Sequence, residues 1–242
     1  MRCASKGLFR PVLFVLLAAL LAGCNTLPRQ EFNAKANHEL KQIGIIMAVN
    51  DDEYPVVLLH HPGASFGLIG GLMAAADMSS KSGQFTTEVD LQGEKLMHEL
   101  QQALQALEDE GRYQVSFIKM ENLDQTELLD DYSKLTAEVD AYLDVRLASV
   151  GYLAQYPNTP YVPEVMAKAK LVDARTHQVL YEATLAYGEN WRQVEGLIQL
   201  PNDQEYNFHD FTDLTNRVDH AREGLLVATR SLGQRINLDL RQ

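Results

Sequence analysis

An α+β (or α/β) fold, a mixed sheet with antiparallel C-terminal strands covered by helices, follows from three patterns in this 242-residue chain. Val139, Ala141, Leu143, Val145 and Leu147 alternate with polar residues, the period of a strand that puts one face on a core and one in water. The alternation returns in Val165, Ala167, Ala169 and Leu171. It then turns at Asp173 to His177 into Val179, Tyr181, Ala183, Leu185 and Tyr187, which predicts three consecutive antiparallel strands. Apolar residues at helical spacing from Glu88 to Glu110, and again from Leu214 to Ile236, supply amphipathic helices to cover them.

Taken in order, the chain opens with Arg2, Lys6 and Arg10 ahead of a short apolar run from Val12 to Leu21, the composition of a secretory signal. A membrane span needs about 20 apolar residues, and this run is about half that. It closes on Leu21-Ala22-Gly23-Cys24, where small residues lead to a single thiol that a diacylglyceryl group can alkylate. On these residues the chain resembles bacterial lipoproteins with a lipobox. The resemblance implies a signal peptide over 1–23, cleavage before Cys24, acylation of that cysteine, and a mature protein anchored to a membrane without spanning it. In the enteric sorting pattern aspartate after the cysteine retains a lipoprotein in the inner membrane. Asn25 here implies the outer membrane, periplasmic face. Residues 24–39, polar with Pro28, are expected to be the acylated cysteine and a tether, and 40–242 a single periplasmic domain.

Within that domain, Ile43 to Val49 and Val56 to His60 are β-branched or apolar runs bounded by Asp51-Asp52 and Pro62-Gly63, and read as buried strands. Gly63 to Ala76 is apolar and built largely of small residues, and Ser79 to Thr87 reads as a polar loop. The helix from Glu88 stops at Gly111, and Tyr113 to Ile118 is a strand. Asp124-x-x-Glu127 before Leu128, Leu129, Tyr132 and Leu135 has the form of a capping box opening a short helix. After the three strands comes an irregular stretch around Trp191 and Pro201, then one long helix with Thr212 placed to cap it. This order loosely resembles periplasmic lipoprotein domains typified by the curli secretion lipoprotein and the amino-terminal domain of the translocation protein TolB. The likeness is of architecture only, and implies scaffolding or oligomeric work in the envelope.

The net charge is −12, with 21 basic residues against 33 acidic ones. Cleavage before Cys24 would remove three basic residues and no acidic one, leaving 18 against 33, a net −15. A surface of that sign repels phosphate backbones, so nucleic acid is not an expected partner. Cys3 leaves with the signal and Cys24 is consumed by acylation, so the mature domain would hold no disulfide, thiol nucleophile or thiolate metal site. No phosphate-binding loop, dinucleotide fingerprint or zincin helix is present, and no cofactor is expected.

Chemistry or contact is expected in the 63–76 segment. Gly63, Gly67, Gly71 and Ala75 recur every four residues, which on a helix makes a ridge without side chains where a second backbone can approach closely. That suits self-association or docking, and in a second form a ring or pore subunit. The same segment spells Gly63-x-Ser65-x-Gly67, the pattern of a nucleophile elbow, with Asp173 and His177 or Asp210 and His220 available as acid and base for a serine esterase. Several groups carry weaker expectations. His60-His61 with Asp51, Asp52 and Glu53 could be drawn as a metal site, although solvated turn residues account for them better. Asp140, Asp144 and Arg146, with Lys168 and Lys170 opposite, fit cross-strand pairs on a wet face. Tyr152, Tyr156, Pro157, Pro160, Tyr161 and Pro163 fit a stiff loop of a kind used in protein contacts. The function expected from all this is a non-catalytic, lipid-anchored accessory of an envelope assembly or transport machine.

Overall fold

A computed structural model describes residues 26–108, 111–190 and 194–242. The signal segment, the lipobox and Cys24 lie outside the described residues, as does Trp191. Seven strands form one mixed sheet: β1 (Gln42–Val49), β2 (Val56–Leu58), β3 (Gln114–Phe117), β4 (Ala141–Ala154), β5 (Val162–Asp173), β6 (Val179–Tyr187) and β7 (Leu197–Leu200). Their order is β3-β1-β4-β5-β6-β7, with β2 also on β4. The helices are α1 (Gly67–Val89), α2 (Gly93–Gln105), α3 (Phe211–Asn216) and α4 (Val218–Asp239). The fold is α+β, and β4, β5 and β6 are consecutive and antiparallel as the alternation requires.

β1 and β2 lie end to end along the same side of β4, both parallel to it, at Ile43↔Ala141 and Val56↔Tyr152. Between them residues 50–55 loop out, and the chain returns at Gly151, where a Cβ would lie 2.1 Å from the Pro55 carbonyl oxygen. A register shift between Leu147 and Ser149 switches the parity of β4, so Leu143, Val145 and Leu147 face the main core before it and Val150, Tyr152 and Ala154 after it. On this face α4 presents Leu225, Ala228, Leu232 and Ile236, and α2 presents Leu96, Leu100 and Leu104, all fully buried. The two helices cross closely because Gly233 sits against Ala103, whose carbonyl also accepts from Asn237 Nδ2 at 3.1 Å.

Local chemistry overrides the sequence expectation at several places. Ser79 to Thr87 is helix, not loop, because its hydroxyls hold the strand that follows β1. Ser82 Oγ accepts from Val56 N and Thr86 Oγ from Tyr54 N, both at 2.9 Å, which satisfies donors the looped-out chain would otherwise bury. Asp90 at φ 41° ends α1, so the helix expected from Glu88 divides there and α2 starts at Gly93. The capping box at Asp124 forms its turn, accepting from Thr126 N and Glu127 N, but no helix follows. The last helix breaks at Arg217, and its first part is capped by Asp210 rather than Thr212. β7 arises in the stretch expected to be irregular and pairs parallel with β6.

Residues 26–34, expected as a free tether, are docked. Leu27 N donates to Glu195 O at 2.9 Å, Gln30 and Glu182 exchange backbone hydrogen bonds at 2.8 and 3.0 Å, and Phe32 and Ala34 are buried. This strap covers the part of the β6 edge that β7 leaves open.

The other face of the sheet keeps Lys168 and Lys170 partly exposed, paired with Glu127 and with Glu182 across the strands as expected, but most of it is covered. Residues 118–139 cross it and bury Ile46, Tyr132, Tyr142 and Val172 in a second apolar cluster. They are pinned by Asp144 and Arg146, which form a fully buried ion pair rather than a solvent-facing one. Asp144 Oδ2 accepts from Leu129 N at 2.8 Å and Tyr132 OH at 3.0 Å, while Arg146 Nε donates to the carbonyls of Asp124 at 2.8 Å and Glu127 at 3.1 Å. Burial raises the Asp144 pKa, and Arg146 opposes that rise.

Candidate functional site

α1 has two halves of different chemistry. From Lys81 to Val89 it is amphipathic and sends Ser82, Phe85 and Val89 into the core. Phe85 packs edge-on to Tyr152, whose ring also meets Phe208 and whose hydroxyl donates to Ala221 O at 3.0 Å. From Pro62 to Ala76 the sequence carries no charge, and a one-turn 3-10 helix (Pro62–Phe66) leads into the α1 N-terminus. Here only Gly70 and Ala74 are buried. Phe66, Leu68, Ile69, Leu72 and Met73 are 64–81% exposed. Together they leave about 700 Å² of apolar surface, above the ~300–600 Å² of the largest patch on a typical monomer.

The base of this tip is built. His61 Nδ1 accepts from Gly63 N at 3.0 Å, capping the one-turn helix, which leaves Nε2–H to donate to Asp77 Oδ2 at 3.3 Å. Asp77 also takes Lys81 Nζ at 2.7 Å, and these bonds hold its carboxyl below its ordinary pKa. His60 stacks on the half-exposed Tyr156, ring centroids 4.6 Å apart. The histidines therefore serve two different contacts, and the described residues gather no group of three metal-ligating side chains there.

The four-residue ridge is divided. Gly63 lies before the helix and packs on Gly70, where a Cβ would meet the Gly63 carbonyl oxygen at 2.1 Å. Gly67 starts the helix at φ 66°, and at both Gly67 and Gly71 an added Cβ would meet nothing within 4 Å. With exposed Ala75, these small residues stand open and are not consumed by packing inside the chain.

Ser65 is exposed in the one-turn helix, at the end of the sheet where β4 finishes. Asp173 and His177 are at the other end, since Asp173 pairs with Ala141 at the start of β4. That separation is about 40 Å at ~3.3 Å per residue. Asp210 is engaged by Asp213 N and His209, and His220 by Glu205 O and the Tyr206 ring. Near them Phe211 meets Lys81, some 24 Å along α1 from Ser65 at ~1.5 Å per residue. The structure thus brings neither pair to Ser65. Of the tyrosine and proline loop, Tyr152 and Tyr161 belong to the core and only Tyr156 is exposed among the tyrosines.

Sequence reasoning fastened on the glycines and missed Phe66, Leu68, Ile69, Leu72 and Met73. Their signal was bulky apolar residues spread around every side of a helix with no charge among them, which no single core-facing stripe can bury.

No family model and no curated protein matches this chain. Among solved structures it is similar to a Xanthomonas campestris protein at 12% identity and TM-score 0.39, covering 84% of this chain and 87% of that one. A Neisseria meningitidis lipoprotein aligns at 15% identity and TM-score 0.28 over 60% of this chain and 81% of its own. A hypothetical protein of Chlamydia trachomatis aligns at 9% identity and TM-score 0.34, covering 83% and 98%. Likeness at these scores leaves function to the residues themselves. No helix among the described residues is long and apolar enough to cross a membrane.

Proposed function

We propose that this chain is a lipid-anchored cell-envelope protein, an accessory without chemistry of its own that engages a protein partner through the apolar tip of α1. The exposed face formed by Leu68, Ile69, Leu72 and Met73 carries this reading, because water-exposed apolar area of that size costs free energy until it is covered. The lipobox supports the address, and Asn25 after the acylated Cys24 supports the outer membrane. In the sequence Cys24 stands two residues before Thr26, where the docked strap begins. The strap joins β6 at Glu182, level with Asp144 through Lys170, whereas α1 begins beyond Leu58, level with Ala154. The strap and the tip are therefore separated by about 33 Å along the strands. One end serves the membrane and the other the partner.

Two variants test this. Cys24→Ser should abolish incorporation of labelled fatty acid and release the protein from the membrane fraction. Leu68→Ser with Leu72→Ser should keep the wild-type urea midpoint and lose the larger complex seen on native electrophoresis after mild detergent extraction. An unchanged complex removes the tip from the function.

A further inference from the structure

We infer that the occupant of the α1 tip is a second copy of this chain, docked antiparallel about a two-fold axis at Leu72. This rests on the tip being a docking surface, and it is carried by the order of side-chain sizes along the helix. Residues at 100° steps place Leu68, Leu72 and Ala76 on one exposed row, with Ala75 and Ser79 beside it, and all of these are exposed. The bulky residues come first and the small ones after. An antiparallel pair centred on Leu72 lays each Leu68 against the other copy's Ala76, so large meets small on both sides of the axis. A parallel pair would set leucine on leucine and leave a gap between the alanines.

Charge agrees. Two chains of net −12 repel, and 62–76 carries no charge, so it is a surface on which two copies meet without opposing carboxylates. Phe66, Ile69 and Met73 lie about 100–160° around the helix from Leu68, so the paired row covers part of the tip's about 700 Å² of apolar surface.

Cross-linking of the full chain in cells tests this. Leu72→Cys should form a disulfide dimer under mild oxidation. Leu68→Cys and Ala76→Cys should fail alone, their symmetry mates being about 12 Å apart along the axis, and succeed when co-expressed. Ala76→Leu should lower the Leu72→Cys dimer yield about tenfold, and Leu68→Ala added to it should restore the yield. Efficient cross-linking of Leu68→Cys and Ala76→Cys each on its own overturns the antiparallel arrangement. A photoreactive benzoylphenylalanine at position 72 separates the remaining outcomes. An adduct of twice the chain mass supports the pair. An adduct only with a different protein overturns the second copy and leaves the docking surface standing. An adduct only with lipid, or none, overturns both.

Discussion

Replacing Arg146 with methionine should be among the most damaging single changes outside the main core. Its guanidinium is fully buried beside a fully buried Asp144 and holds the carbonyls of Asp124 and Glu127, so its removal strands a carboxylate and frees the loop that covers the second face. Breaking a buried pair from one side costs about 3–5 kcal/mol, against about 5–15 kcal/mol for a whole domain. The loss should depend on pH with a definite sign. The Asp144 pKa is already raised by burial, and Arg146 is the main influence lowering it, so the variant raises it further. A carboxyl with a raised folded pKa destabilises the fold when ionised, so the variant should be weakest at alkaline pH and recover as pH falls through that pKa. Urea unfolding of wild type, Arg146→Met, Asp144→Leu and the double variant at pH 5 and pH 8 measures this. The double variant should return to within about 2 kcal/mol of wild type, since an apolar pair of similar volume replaces the ions. An Arg146→Met cost below about 1 kcal/mol, or one that grows towards acid, would refute the clamp.

Other consequences follow from individual positions. Gly151→Ala drives a Cβ into the Pro55 carbonyl and should cost about 2–4 kcal/mol by urea midpoint, among the larger effects of a single substitution. Gly71→Ala meets nothing and should stabilise α1 by about 0.5–1 kcal/mol, whereas Gly70→Ala strikes the Gly63 carbonyl and should loosen the tip, read as faster amide exchange over 63–70. Hydrogen bonds hold Asp77, Asp124, Asp210 and Asp213 below the ordinary carboxylate pKa. Their stabilisation is complete above that value and is lost as pH falls through the lowered pKa values, so thermal stability should drop below about pH 4. Asp213→Asn should flatten that drop.

Periodicity made the antiparallel core legible because β5, β6 and the part of β4 up to Leu147 each bury one row of alternate residues, and α4 repeats Leu225, Ala228, Leu232 and Ile236 at helical spacing. It could not show that the opposite row, with Asp144 and Arg146, would be covered, since a charged alternation looks the same whether water or a loop lies above it. Ser79 to Thr87 read as loop because its hydroxyls look solvent-bound, yet Ser82 and Thr86 serve the backbone of the neighbouring strand. The strap at 26–34 was hidden by its polarity, its contacts being mainly backbone bonds to β6, to Glu195 ahead of β7 and to Gln242. At the site, the sequence located the segment but weighted its small residues over the exposed leucines that give it area.

Thiol protection at the α1 tip tests the central claim most directly. Cysteines placed one at a time at Leu68, Leu72 and, as an exposed control lower on α1, Gln84 would be labelled with a maleimide in intact envelopes and again after solubilisation and denaturation. A covered tip predicts that positions 68 and 72 label poorly in the envelope and fully once denatured, while position 84 labels throughout. Full labelling of 68 and 72 in the intact envelope would contradict it.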